Sequence, residues 1–143
     1  MKIKLLFSLI TLIFTTPLFS QNNEAFKTYK MNSIYLQGGK YIKNDVAYPM
    51  GFFGENLREE MKISPHATAE WNKHVTFRNW SFVTSLTGVA LTVAAIGAED
   101  NNNSRNLVLA GLGLSIVSIP LSIKSKNQLD KAIWTHNRDL FEM

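Results

Sequence analysis

The chain has 143 residues, 15 Lys and Arg against 11 Asp and Glu, and no cysteine. That length holds one ordinary domain. The composition excludes a disulfide-stapled scaffold, a Cys-ligated zinc or iron–sulfur centre, a collagen-like repeat and a disordered acidic tail. Mean hydropathy is −0.04, an average that conceals how unevenly the apolar residues are spread.

Residues 1–20 (MKIKLLFSLITLIFTTPLFS) have the layout of a secretory signal peptide. Lys2 and Lys4 form a positive start, residues 5–14 an apolar stretch broken only by Ser8 and Thr11, Pro17 ends the helix, and Ser20 is a small residue at the cleavage point. Leu18, three residues before the cut, is larger than a cleavage site prefers, which leaves an uncleaved signal anchor as the alternative. With no cysteine after it, a bacterial lipoprotein anchor is excluded. The mature chain would keep 13 basic and 11 acidic residues, a net charge of +2 instead of +4. No basic stripe with interleaved aromatics remains, so nucleic acid is not expected as a partner.

Residues 21–33 read as a polar linker, and residues 34–63 as a small polar segment with a β-hairpin and a short helix. Ile34-Tyr35-Leu36, Tyr41-Ile42-Lys43 and Val46-Ala47-Tyr48 form short strands around Gly38-Gly39 and Asn44-Asp45. Asn and Asp tolerate the positive φ that a two-residue turn demands. Pro49 ends the last strand by removing a ladder donor. In residues 55–62 (ENLREEMK) Leu57 and Met61 share one helical face. Ser64 then caps a new helix with Pro65 at its first position.

Two uncharged runs follow, 80–98 with 19 residues and 107–123 with 17. As helices they span about 28 and 26 Å, close to the hydrocarbon thickness of a bilayer. Residues 99–106 (EDNNNSRN) read as the loop between them. Ser81, Ser85, Gly88, Thr92 and Ala95 form a small-residue stripe on the first run, and Gly111, Ser115, Ser118 and Ser122 on the second. Such stripes let helix backbones approach closely and hydroxyls bond across the contact in lipid. Folding at the loop sets Ser85 against Ser122, Gly88 against Ser118, Thr92 against Ser115 and Ala95 against Gly111. Pro120 predicts a kink in the second run, with Ser118 and Ser122 placed to satisfy the freed carbonyl.

After residue 123, Leu129, Ile133, His136 and Leu140 continue an amphipathic helical face. The same register sets Trp134 opposite Asn72, Leu129 opposite Phe77, Asp130 near Arg78 and His136 opposite Glu70. The expected fold is therefore mainly α, a long antiparallel helical hairpin over residues 64–143. Two transmembrane helices with amphipathic extensions make up the hairpin, preceded by the small β-hairpin and short helix. Topology is contested. An export signal puts both ends of the hairpin outside the cytoplasm, whereas Lys73, Arg78, Lys124, Lys126 and Lys131 crowd those ends and favour a cytoplasmic position. The complete three-part signal outweighs the charge bias, so the N- and C-terminal parts are expected on the periplasmic side.

The motifs SPHATAEWNK, LVLAGLGLSIVSIP and LDKAIWTHNRDL resemble those of exported two-helix membrane proteins of Bacteroidota. That family has an Asn-Pro-x-Ala helix start, an Ile-Pro in the second run and a closing Lys-Ala-x-x-x-Tyr-Asn. The corresponding positions are Ser64-Pro65-His66-Ala67, Ile119-Pro120, and Lys131-Ala132 with His136-Asn137. Ser64 and His136 depart from the pattern. The resemblance implies the architecture and brings no activity.

Catalytic chemistry finds no constellation. His66, His74 and His136 have neither an HExxH pattern nor a Cys partner. Glu55, Glu59 and Glu60 lie beside Arg58 and Lys62 as a charged helix face, and no serine sits in a nucleophile elbow. Gly111-x-Gly113 lies inside an apolar run and has no phosphate-loop context. No catalytic, cofactor-binding or metal residue is assigned and no cofactor is expected. The expectation is a non-enzymatic, exported protein of the cell envelope. Its close-packed membrane hairpin would present a small exported segment, structural or partner-binding, with membrane lipid, a second copy or an envelope protein as partner. The alternative is a soluble periplasmic binding module whose apolar helices form a core or a lipid-like ligand site.

Overall fold

The computed structural model describes residues 23–51, 53–98 and 100–141. The signal segment expected at 1–20 lies outside the described residues. The elements in chain order are α1 (Asn23–Asn32), β1 (Ile34–Gln37), β2 (Lys40–Lys43), β3 (Val46–Pro49), α2 (Glu55–Met61), α3 (Pro65–Ile96) and α4 (Asn101–Asp139). The fold is mainly helical, with two long packed helices, a small antiparallel sheet and a short helix, as the sequence predicts. Two compact units divide the chain. One combines the described residues up to Asn56 with those from His136 onward, and the other runs Leu57–Thr135.

In the first unit the expected linker is a helix instead. Residues 24–31 contain no Gly or Pro, and the C-terminal turn of α1 is closed by Ser33 N–H to the Tyr29 carbonyl at 2.7 Å. Tyr29 also stacks on Phe141 with ring centroids 4.2 Å apart, a tertiary contact that no local pattern reveals. The sheet is a three-stranded meander, β1-β2-β3, one strand more than a hairpin. Its turns are the two read from sequence. Gly38 and Gly39 have φ of 57° and 77°, and Asn44 and Asp45 have φ of 51° and 60°, the double positive φ of a turn that matches strand twist. Tyr41 pairs with Tyr48 across β2 and β3, and their rings stack at 5.3 Å.

The edge of β1 is closed by a side chain. Asn137 accepts from the Ile34 N–H at 2.8 Å and donates to the Ile34 carbonyl at 2.7 Å, so its amide stands where a neighbouring strand's peptide would. Ile34 is completely buried. His136, also buried, bonds the Asn32 carbonyl through Nε2 at 3.3 Å.

In the second unit Leu57 and Met61 of α2 are both fully buried. The Ser64 hydroxyl caps α3 by accepting from the Ala67 N–H at 3.0 Å, with Pro65 in the first turn. The helix α3 runs 32 residues and α4 runs 39, unbroken through Pro120. The turn between them is shorter and earlier than expected. Residues 101–106 are the first turns of α4, started by Asp100, whose carboxylate accepts from the Asn102 N–H at 3.0 Å. Asn and Asp are turn formers, and they are equally good helix starters, which is why this stretch reads as loop in the sequence.

Candidate functional site: the seam and outer faces of the helical hairpin

The seam between α3 and α4 is built on small residues. Gly88 and Gly111 face each other so closely that each lies against the other's backbone carbonyl. A methyl group at Gly88 would stand 2.6 Å from Ser115 Oγ and 2.7 Å from the Gly111 carbonyl oxygen. One at Gly111 would stand 2.5 Å from Thr92 Oγ1 and 2.6 Å from the Gly88 carbonyl oxygen. Gly88, Ala95 and Gly111 are buried, Ser81, Ser85, Thr92, Ser115 and Ser118 are half-buried, and Ser122 is exposed.

The two stripes meet in a different register from the one folded at 99–106. Ser81 Oγ donates to the Ser118 carbonyl at 2.9 Å, so Ser118 lies against Ser81 and not Gly88. Gly111 lies against Gly88 and Thr92 rather than Ala95. Ala95 instead accepts from Ser104 Oγ at 2.9 Å. The displacement follows from the turn, which centres several residues earlier than expected. The outward pairs move with it. Glu70 accepts from Lys131 Nζ at 3.0 Å and from Lys73 Nζ at 2.9 Å. Lys124, not Leu129, sits over the Phe77 ring at 5.6 Å.

Several seam hydroxyls stay within their own helix. Thr92 Oγ1 donates to the Gly88 carbonyl, Ser115 Oγ to the Gly111 carbonyl and Ser118 Oγ to the Ser115 carbonyl, at 2.9, 2.9 and 2.7 Å. The Ser118 hydroxyl is therefore directed to Ser115 rather than to Ile116, whose carbonyl Pro120 deprives of its usual donor.

One polar lock was missed in the sequence. Buried His74 and Ser125 meet across the seam, with Nδ1 2.9 Å from the Ser125 carbonyl and 2.8 Å from Ser125 Oγ. A protonated Nδ1 donates to the Ser125 carbonyl. The Ser125 hydroxyl then donates to the His74 carbonyl at 3.2 Å. The pair ties the two helices together. Burial pushes the His74 pKa below its ordinary value; the bond to Ser125 opposes the shift and the Arg78 charge adds to it. Glu70 is held below the usual carboxylate range by its bonds to Lys73 and Lys131.

The outer faces divide at one level of the hairpin. Below Trp80 on α3 and beyond Ile123 on α4, Trp71, Leu129 and Ile133 point inward, 1%, 9% and 8% exposed, while Trp134 stays 61% exposed. Between those levels the pattern inverts. Phe82, Leu86, Ile96 and Ile116 are 64%, 58%, 84% and 66% exposed, while the interior is glycine and hydroxyl. Both helices are long and apolar enough to cross a membrane. Among the described residues no group of three or more His, Asp or Glu side chains is placed to hold a metal ion. Comparison with protein families, characterised proteins and solved structures finds no match to this chain.

Proposed function

We propose that this is a non-enzymatic membrane protein of the cell envelope, a close-packed transmembrane hairpin carrying a small exported segment, with a structural or partner-binding role. The inversion of side-chain burial at Trp80 and Ile123 carries the reading. In water the apolar residues of the two runs would turn inward, as Trp71 and Leu129 do, because burying apolar surface is the main drive to fold. In hydrocarbon that drive is absent and helices associate through small faces and backbone-directed hydroxyls, the arrangement found at Gly88, Gly111 and Ser81. A soluble protein would instead expose a continuous apolar surface far beyond what monomers tolerate. The export signal read at 1–20 supports a periplasmic position for both ends of the hairpin.

Alkaline carbonate extraction of cell envelopes tests the reading. The protein is expected to stay in the pellet and to leave it only with detergent. Release into the carbonate supernatant would overturn membrane insertion and favour the soluble periplasmic module.

A further inference from the structure

We propose that the cleft opening beside Arg78, between α3 and α4, binds the headgroup of an anionic phospholipid, so that the hairpin selects its lipid. The proposal rests on the membrane reading above. The cleft encloses about 520 Å³, within the range of small-molecule sites. Arg78 contributes a guanidinium, Ser85 and Ser122 contribute hydroxyls, and Phe82, Ile119 and Ile123 contribute apolar walls. That combination suits an amphiphile, with the phosphate at the arginine and the glycerol and first acyl carbons against the mixed hydroxyl and apolar walls. Phe82, Ile119 and Ile123 are all more than half exposed, so a chain leaving the cleft continues along their face into the bilayer.

The position fits as well. Arg78 lies two residues before the uncharged run begins and Ile123 ends the other run, which puts the cleft at headgroup depth. It lies next to two fixed seam contacts, His74 with Ser125 and Ser81 with Ser118, and is therefore formed before any lipid arrives.

Charge decides the headgroup class. Lys73, Arg78, Lys124, Lys126 and Lys131 surround this end of the hairpin against Glu70 and Asp130, and Glu70 is engaged by two of those lysines. Among the described residues no carboxylate lines the cleft. A guanidinium presents paired donors that match phosphate oxygens. Burial among these walls lowers the Arg78 pKa. A zwitterionic lipid would bring its own cation into a field that is already positive.

The test uses full-length protein in mixed micelles, with phosphatidylglycerol and phosphatidylcholine as competing probes and retained lipid counted by native mass spectrometry. Wild type should retain phosphatidylglycerol preferentially, and Arg78→Gln should lower the preference about fivefold, the size of one basic residue's contribution at an anionic surface. Ser122→Leu, which fills the cleft from an exposed position and leaves Arg78 in place, should lower it too. Lys126→Gln, outside the cleft, should change it much less. Equal losses in Lys126→Gln and Arg78→Gln would overturn the site in favour of a diffuse field. Displacement of the lipid by inorganic phosphate alone would replace the lipid by a free anion and overturn it as well. A protein that resists carbonate extraction yet shows no preference refutes the cleft alone, whereas carbonate release refutes the membrane reading beneath it.

Discussion

Replacing a single hydrogen by a methyl group at three glycines separates the close-approach seam from every other account of the hairpin. At Gly88 the new Cβ would stand 2.6 Å from Ser115 Oγ and 2.7 Å from the Gly111 carbonyl oxygen. The hydroxyl could rotate aside, but the carbonyl belongs to the helix backbone and cannot. To reach ordinary contact the helices must part by about 0.7 Å, a gap that forfeits a quarter to a half of the dispersion well for each atom pair along the contact. Overpacking of this kind costs about 1–3 kcal/mol. The helix propensity of alanine over glycine returns about 1 kcal/mol. Gly88→Ala is therefore expected to destabilise the hairpin by up to about 2 kcal/mol, and Gly111→Ala, whose methyl meets the Gly88 carbonyl at 2.6 Å, by a similar amount. Gly113 is the control. It belongs to the same helix and run, and a methyl there meets nothing within 4 Å, so Gly113→Ala should be neutral or mildly stabilising. Titration of the detergent-solubilised protein with dodecyl sulfate, followed by circular dichroism and tryptophan fluorescence, gives all three midpoints. Equal midpoints for Gly88→Ala and Gly113→Ala would refute the seam.

Other outcomes follow from single contacts. His74 is held below its ordinary pKa of 6.5 by burial, so the unfolded chain takes up the proton first. The stability this neutral histidine contributes is complete above that value and declines as pH falls through it. The denaturation midpoint should drop on acidification, and His74→Gln should flatten the drop; an unchanged slope would show that other groups cause it. Asn137→Ala removes both bonds to the Ile34 backbone, leaving a donor and an acceptor unmatched, and should cost about 2–4 kcal/mol. Hydrogen exchange at Ile34 would report the loss directly, and unaltered protection there would exclude the edge-closing role. Because the chain has no cysteine, Asn102→Cys and Lys126→Cys give clean topology reporters. In intact cells with a permeable outer membrane, an impermeant thiol reagent should label the second and reach the first only after lysis. The opposite pattern would reverse the orientation.

The register of the hairpin marks where sequence reasoning stops. The small residues of both runs were legible because their spacing of three and four puts them on one side of a helix. The strand turns were legible because Asn44-Asp45 and Gly38-Gly39 are the residues that accept positive φ. The Ser64-Pro65 start follows equally local chemistry. A pattern of alternating threes and fours nevertheless repeats every seven residues, so sliding one helix by seven sets small residue against small residue again. The stripe chooses the face and leaves the register open. What fixes the register is the turn, and residues 101–106 read as loop in the sequence although Asp100 starts α4 there. Contacts between residues far apart in the chain have no periodic trace at all. Ile34 with Asn137 and His74 with Ser125 lie 103 and 51 positions apart. Paired cysteines settle the register directly. Ala95→Cys with Ser104→Cys should form a disulfide under mild oxidation, since Ser104 already bonds the Ala95 carbonyl at 2.9 Å. Ala95→Cys with Gly111→Cys, the pairing folded at 99–106, places the partner seven residues further along α4. That offset is about 10 Å at 1.5 Å per residue, beyond the roughly 7 Å between Cα atoms that a disulfide spans. Preferential bridging of the second pair would mean that the turn, and not the stripe, has been misplaced.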